Sequence, residues 1–153
     1  MAREVVSAVV VNEAGDAFVH RRAYDRELLP GTWDIVGGHV EPGETTLEAL
    51  ERELEEETGW RLARIVADLG EYTWTGNDGV ERREHSYLVE VEGDLASPRL
   101  ERPFHVEYAW FGRDELDRLM ENRDDDAMLL RSIVERALDE ADRAGGTAGT
   151  REA

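Results

Sequence analysis

The chain has 153 residues, enough for one domain of ordinary size and too few for two independent ones. Its 36 Asp and Glu face 18 cations, all of them Arg and standing singly or in pairs, so the formal net charge of −18 works against binding long nucleic acid through phosphate contacts. The absence of Cys excludes disulfides, a thiolate nucleophile and Cys-ligated metal sites; the apolar run Val5 to Val11 is too short for a membrane span and lacks the basic flank and cleavage site of a signal peptide, so a cytoplasmic protein without a membrane role is expected.

Val5 to Val11, rich in β-branched residues, predicts a buried strand, and the Gly15-containing turn after it predicts a hairpin into Ala17 to Arg22. Trp33 to Val36 reads as a short strand that Gly37-Gly38 should interrupt. From Thr45 or Thr46 to Thr58 the residues are helix formers, with Thr as the N-terminal cap and Gly59 as the terminator. Arg61 to Thr75 and Arg83 to Val91 predict strands joined through the turn Gly76 to Gly79. His105 to Phe111 predicts a further strand, Asp114 to Met120 a short helix, and Ala127 to Arg143 a longer helix with an apolar stripe. Residues 144–153, rich in Gly and Thr, read as a disordered tail, leaving 1–143 as the single domain. The acidic run Asp124 to Asp126 lacks the spacing of a calcium loop and reads as a solvated helix start. Mixed strands and helices point to an α/β layer arrangement.

The segment from Gly38 to Trp60 carries the chemistry. At about 100° per residue, Glu53, Glu57 and Glu56 share one face of the predicted helix, within roughly 100° of one another. Leu47, Leu50 and Leu54 border that face, so the three carboxylates are expected at the edge of the core. Carboxylates gathered there repel one another and take up protons unless a cation neutralises them. A hard divalent ion such as Mg²⁺ suits oxygen ligands of this kind and completes its shell with water and substrate phosphate. The bland alternative is a solvated acidic helix, which is common in Glu-rich chains.

The spacing decides against that alternative. Gly38, then five residues, Glu44, then seven residues, then Arg52-Glu53-Leu54-Glu55-Glu56-Glu57-Thr58-Gly59 meets every fixed position of the signature of the Nudix hydrolases, which the chain therefore resembles. A chance match in a chain of this composition is on the order of 10⁻⁴. Trp60 stands where the signature has a bulky aliphatic residue, and Val36 precedes Gly37-Gly38 where many members that cleave nucleoside triphosphates carry Pro. The valine-rich first strand, the Pro30 to Trp33 segment and the Glu107 to Phe111 strand followed by Asp114-Glu115-Leu116 are also similar to Nudix elements, so the resemblance extends to about residue 120.

The resemblance implies a Nudix-type α/β/α sandwich with a mixed β-sheet, and hydrolysis of a diphosphate bond in a nucleoside diphosphate derivative with Mg²⁺ or Mn²⁺. It implies Glu53, Glu56 and Glu57 as metal ligands, with a carbonyl of Gly37 or Gly38, and Glu44 and Arg52 as the pair that organises loop and helix. Glu53 or Glu56 is the first candidate for the base that takes the proton of the attacking water, ahead of Glu84, Glu107 and His85. Arg21, Arg22, Arg82 and Arg83 are candidates to clamp phosphate, although each also suits surface charge balance. Trp33, Tyr72, Trp74, Tyr87 and Trp110 could include a base-stacking platform, but strand aromatics more often fill a core; His20 and His39 read as structural.

Two other functions fit the same fold. A catalytically silent nucleotide-binding module would be expected to show a degraded signature. An isopentenyl-diphosphate-isomerase-like enzyme would need a Cys acid that the chain lacks. A small nucleotide-type substrate is the expected partner, and a homodimer would suit the family. The lack of Lys beside abundant Arg and Ala points to a GC-rich, bacterial genome.

Overall fold

The computed structural model describes residues 2–123 and 127–148. In chain order it contains β1 (Arg3–Val10), β2 (Ala17–Arg22), β3 (Trp33–Asp34), β4 (Val36–His39), α1 (Thr46–Thr58), β5 (Arg61–Thr75), β6 (Glu81–Glu92), β7 (His105–Phe111), a 3-10 helix (Arg113–Met120) and α2 (Ala127–Ala148). One sheet has the order β4-β1-β6-β5, with β1 parallel to β6 and the other pairs antiparallel; the second, β3-β2-β7, is antiparallel throughout.

β1 shows why its sequence has no alternation. Val6, Ala8 and Val10 pack towards Ala49, Leu50 and Leu54 of α1, while Val9 packs on the opposite side with Leu130, Ile133 and Val134 of α2. A strand buried on both faces is apolar almost throughout, and the buried Ser7 hydroxyl is satisfied by Ser86 at 2.6 Å. The outcome is the mixed-sheet α/β/α sandwich. The second sheet joins the α2 side through Val19, Trp33 and Phe111.

Three strand expectations change. The turn after β1 does close, with Asn12 N–H donating to Asp16 O at 2.9 Å and a single bridge between Val11 and Ala17, but β2 then leaves for the second sheet. Both edges of β1 are already taken by β4 and β6, so no hairpin ladder can form. The segment from Trp33 to Val36 is two strands rather than one, broken at Ile35 between the two sheets. Gly37 and Gly38 do not interrupt a strand; they lie within β4, opposite Ser7 and Val6. A Cβ on Gly37 would lie 2.5 Å from the Val6 carbonyl oxygen, so glycine here permits close backbone approach.

α1 begins and ends as its caps dictate. The Thr45 hydroxyl accepts from Glu48 N–H at 3.1 Å, the Glu48 carboxylate accepts from Thr45 N–H at 2.9 Å, and Gly59 closes the helix at φ 80°. Leu50 and Leu54 are fully buried, each contributing about 1.5–3 kcal/mol. Leu47, expected beside them, is instead 48% exposed, because it lies in the first turn before the helix reaches the sheet. Trp60 fills the bulky aliphatic position, packing edge-on to Phe18 and donating its indole N–H to Asp94 O at 3.0 Å. The short helix after β7 is of the 3-10 type. α2 continues to Ala148, past the point where a tail was expected; residues 149–153 and the acidic run 124–126 lie outside the described residues.

Replacing Thr45 by Ala removes the reciprocal cap and is expected to lower unfolding free energy in urea by about 1 kcal/mol with an unchanged denaturant slope. An unchanged midpoint would show that tertiary packing alone holds the helix start.

Candidate active site

α1 crosses the β4 edge so that Glu53 and Glu57, one turn apart, enter a cleft of about 350 Å³ with relative exposures of 9% and 4%. Glu56 lies on the rim of the same cleft with 46% of its side chain exposed. Gly38 makes the burial of Glu53 possible, since a Cβ there would stand 2.5 Å from the Glu53 carboxyl carbon and closer still to its oxygen. Gly37 contributes through its backbone, its N–H donating to Glu57 Oε1 at 3.2 Å.

Arg52 organises the ring of acids. Its Nε and Nη2 grip Glu44 at 2.7 and 3.0 Å, Nη2 also reaches His39 O at 3.1 Å, and Nη1 lies 3.2 Å from both Glu53 Oε2 and Glu56 Oε1. A planar fork can hold this set where a Lys ammonium could not. The hydrogen bonds that Arg52 donates draw the Glu44 carboxyl down to about 2, and the same bonds raise the guanidinium in return. Glu44 also accepts from Glu41 N–H at 2.9 Å, so the loop before α1 and the helix are joined chiefly through the Arg52–Glu44 ion pair.

Glu57 is in a different position. Besides Glu53, it meets the Gly37 N–H and His20 Nε2, the latter at 3.4 Å, and burial holds His20 near 3 and therefore uncharged. Burial, followed by the charge of Glu53, pushes the Glu57 carboxyl well above the ordinary carboxylate range. Burial also raises Glu53, opposed by its contacts with Glu57 and Arg52. Two buried carboxyls with Arg52 on one side only, beside an exposed third, form an oxygen-only donor set suited to a hard divalent cation.

The rest of the cleft sets cations and aromatic rings beside further acids. Arg22 lines it with its Nε donating to Leu28 O at 2.8 Å, and burial lowers the guanidinium to about 10. Arg82 also lines it, fixed by Asp78 at 2.7 and 3.0 Å and by donation to His39 Nε2 at 3.1 Å, over the face of Trp74 at 5.2 Å. His39 accepts that bond because burial, with the charges of Arg3 and Arg82, lowers it to about 4. Glu84 lies deeper, its Oε1 accepting from Trp74 Nε1 at 2.9 Å, and is raised by burial and then by Asp34.

The remaining candidates fall elsewhere. Arg21 is outside the cleft, paired to Glu107 at 3.1 Å and Glu121 at 2.5 Å and stacked on Trp33. Arg83 pairs with Glu4 on the surface. Glu107 is occupied by Arg21, and His85 lies between Asp68 at 2.7 Å and Glu71 at 3.4 Å. Trp33 is core, Trp110 packs against Phe18, and Tyr72 hydrogen-bonds Ser86 at 3.1 Å. Several cleft residues carry no sequence signal; among them Arg26 follows β2, Glu101 and Phe104 precede β7, and His105 is the first residue of β7, segments that only tertiary pairing brings to α1.

With this geometry in view, comparison with known proteins is informative. The family model described as NUDIX domain matches residues 1–132. The curated nucleoside triphosphatase NudI of Escherichia coli K12 is 35% identical over 125 residues, covering 74% of this chain and 84% of that protein. The protein of the same name from Enterobacter sp. 638 is 30% identical over 129 residues, covering 78% and 89%. Among solved structures, a MutT protein from Methanosarcina mazei superimposes with a TM-score of 0.71 at 25% identity, covering 93% of this chain and 96% of that one. A MutT NUDIX hydrolase from Burkholderia pseudomallei gives a TM-score of 0.71 at 27% identity, covering 88% and 97%.

The raised proton affinity of Glu57 fixes the sign of a pH effect. The folded chain holds this proton more tightly than the unfolded chain, so the contribution of Glu57 to stability falls as pH rises from the ordinary value of 4.5 towards the raised one. In chelator, Glu57→Gln is expected to be more stable than wild type near neutral pH, with an advantage that shrinks as pH falls towards 4.5. Parallel stability curves for the two proteins would contradict the shift.

Proposed function

The chain belongs to the Nudix hydrolase family, and on that premise we propose that it hydrolyses a nucleoside triphosphate at the anhydride next to the nucleoside, releasing a nucleoside monophosphate and pyrophosphate. The observation that carries the reading is the pair of buried carboxyls, Glu53 and Glu57, opening on a cleft whose other wall offers Arg22 and Arg82. Glu53, Glu56 and Glu57, with a carbonyl of Gly37 or Gly38, would hold Mg²⁺, or Mn²⁺ in its place. Such an ion neutralises anhydride oxygens and makes bound water more acidic.

The protein's own groups then divide the work. Arg22 and Arg82 bind the phosphate chain, and both are fixed by hydrogen bonds before substrate arrives, so little freedom is lost on binding. Glu53, buried in the cleft beside Arg52, takes the proton of the attacking water. The water oxygen bonds to the α-phosphorus as the bond to the bridging oxygen breaks, and pyrophosphate departs with the electron pair. Arg52 keeps Glu53 and Glu56 in place, and Glu44 keeps Arg52 in place.

The choice of a nucleoside triphosphate rests on the relatives called nucleoside triphosphatase. Val36 does not argue against it, since its side chain is buried under α1 with Ala8 and Leu50 and is not part of the cleft wall. A silent binding module is disfavoured because every carboxylate of the signature reaches the cleft or its supporting ion pair. No helix among the described residues is long and apolar enough to cross a membrane, and a cytoplasmic, bacterial setting is part of the proposal.

A panel of nucleoside triphosphates and nucleotide sugars with Mg²⁺, assayed for monophosphate and pyrophosphate, is expected to give turnover with at least one triphosphate. Glu53→Gln should lower kcat by about 10²-fold or more. Arg82→Ala should act chiefly on KM, by about tenfold or more, from the roughly 1.5–3 kcal/mol of a charge-assisted hydrogen bond. Full activity in Glu53→Gln, or no triphosphate turned over, would refute the reading.

A further inference from the structure

Beside Glu57, two histidines from different strands form a pair that the hydrolase reading leaves unused. His20 of β2 is 1% exposed and His105 of β7 is 3% exposed. Their rings stack with centroids 3.7 Å apart and planes within 6° of parallel. The register between β2 and β7 slips at Arg21 and Arg22, so that Arg22 pairs with His105 rather than with the next residue in step. Nδ1 is buried in both rings, and that of His105 has no hydrogen-bond partner among the described residues. A buried polar atom left unpaired is uncommon in a native protein, and an ion or a water is a usual reason. One ligand atom from each of His20, His105 and Glu57 falls within 4.8 Å of the others, and His20 Nε2 stands 3.4 Å from Glu57 Oε1.

From this arrangement we propose that His20, His105 and Glu57 form a mixed nitrogen–oxygen site for a transition-metal ion of the Zn²⁺ or Co²⁺ type, adjoining the oxygen-only site and sharing Glu57 with it. Two imidazoles and one carboxylate are a ligand set that such ions favour and that Mg²⁺ does not. Because the ring planes are parallel, one imidazole has to tip about its Cβ–Cγ bond for both lone pairs to meet one ion. An ion held there draws Glu57 away from Glu53, so occupation of this site opposes occupation of the other. The cleft that carries His105 gives the ion a path of entry.

The site differs from the hydrolase reading in its ligands, which makes the two separable. Glu57→Gln damages both, whereas His105→Phe keeps a stacked ring against His20 and removes only nitrogen donors. The test is Zn²⁺ titration by calorimetry in excess Mg²⁺, on wild type, His105→Phe and His20→Ala, each first shown to be folded by thermal melting. Loss of an outer-shell partner alone costs about 10–100-fold in metal affinity, so loss of a ligand should weaken Zn²⁺ binding at least about tenfold in both variants. Co²⁺ added to wild type should give the intense visible absorption of a low-coordinate nitrogen-ligated ion, and His105→Phe should lose it. Equal Zn²⁺ affinity in wild type and His105→Phe would overturn the proposal. So would a wild-type Co²⁺ spectrum showing only the weak absorption of an octahedral oxygen-ligated ion, a result that needs no variant to fold.

Discussion

Glu53 and Glu57 stand side by side with little access to water, and like charges so placed repel in a medium that screens them poorly. Much of the surrounding structure can be read from that repulsion. Gly38 gives up a side chain so that Glu53 can fit, and Gly37 turns an N–H towards Glu57. Arg52 partly neutralises Glu53 and Glu56 and is itself held by Glu44. Among the described residues no comparable cation touches Glu57, whose neighbour His20 is uncharged. On the proposed reading a divalent ion would supply the missing charge, and an anionic substrate would then approach a strongly acidic protein through Arg22, Arg82 and that ion.

The acidity of the chain thus has an address. Between Glu41 and Glu57 lie eight Glu and one Arg, a local charge of −7 out of −18. Glu48, Glu51 and Glu55 are exposed and serve solubility and capping, while Glu44, Glu53, Glu56 and Glu57 converge on the site. One helix therefore carries solvated charge on one side and charge drawn out of water on the other, the division that its 3.6-residue period imposes.

α1 was legible from its residues because its determinants are local. Thr45, Glu48 and Gly59 act within a few positions of the chain, and the spacing from Gly38 to Gly59 names the chemistry. The long hairpin of β5 and β6 was legible for the same reason, its turn lying between its strands. β2 was not, since its departure to the second sheet depends on both edges of β1 being occupied by strands distant in sequence. The glycine pair was misread because glycine marks close approach as often as it marks a break, and the atoms it avoids belong to Glu53 and Val6. Of the four arginines singled out as phosphate clamps, Arg22 and Arg82 face the cleft, and only the pleat of two strands in different sheets separates them from Arg21 and Arg83. His105 gave no signal at all, since its partner His20 lies 85 residues earlier and the two meet through a slipped register.

The central claim is that the buried carboxyls of α1 await a divalent cation. The most direct measurement is the melting temperature of wild type and of Glu57→Gln with increasing Mg²⁺ at constant ionic strength. Binding to the folded state alone stabilises by mass action, so wild type should rise steadily with Mg²⁺ and Glu57→Gln should rise much less. Equal shifts in the two proteins would mean general screening of the acidic surface, and would contradict a cation site built around Glu57.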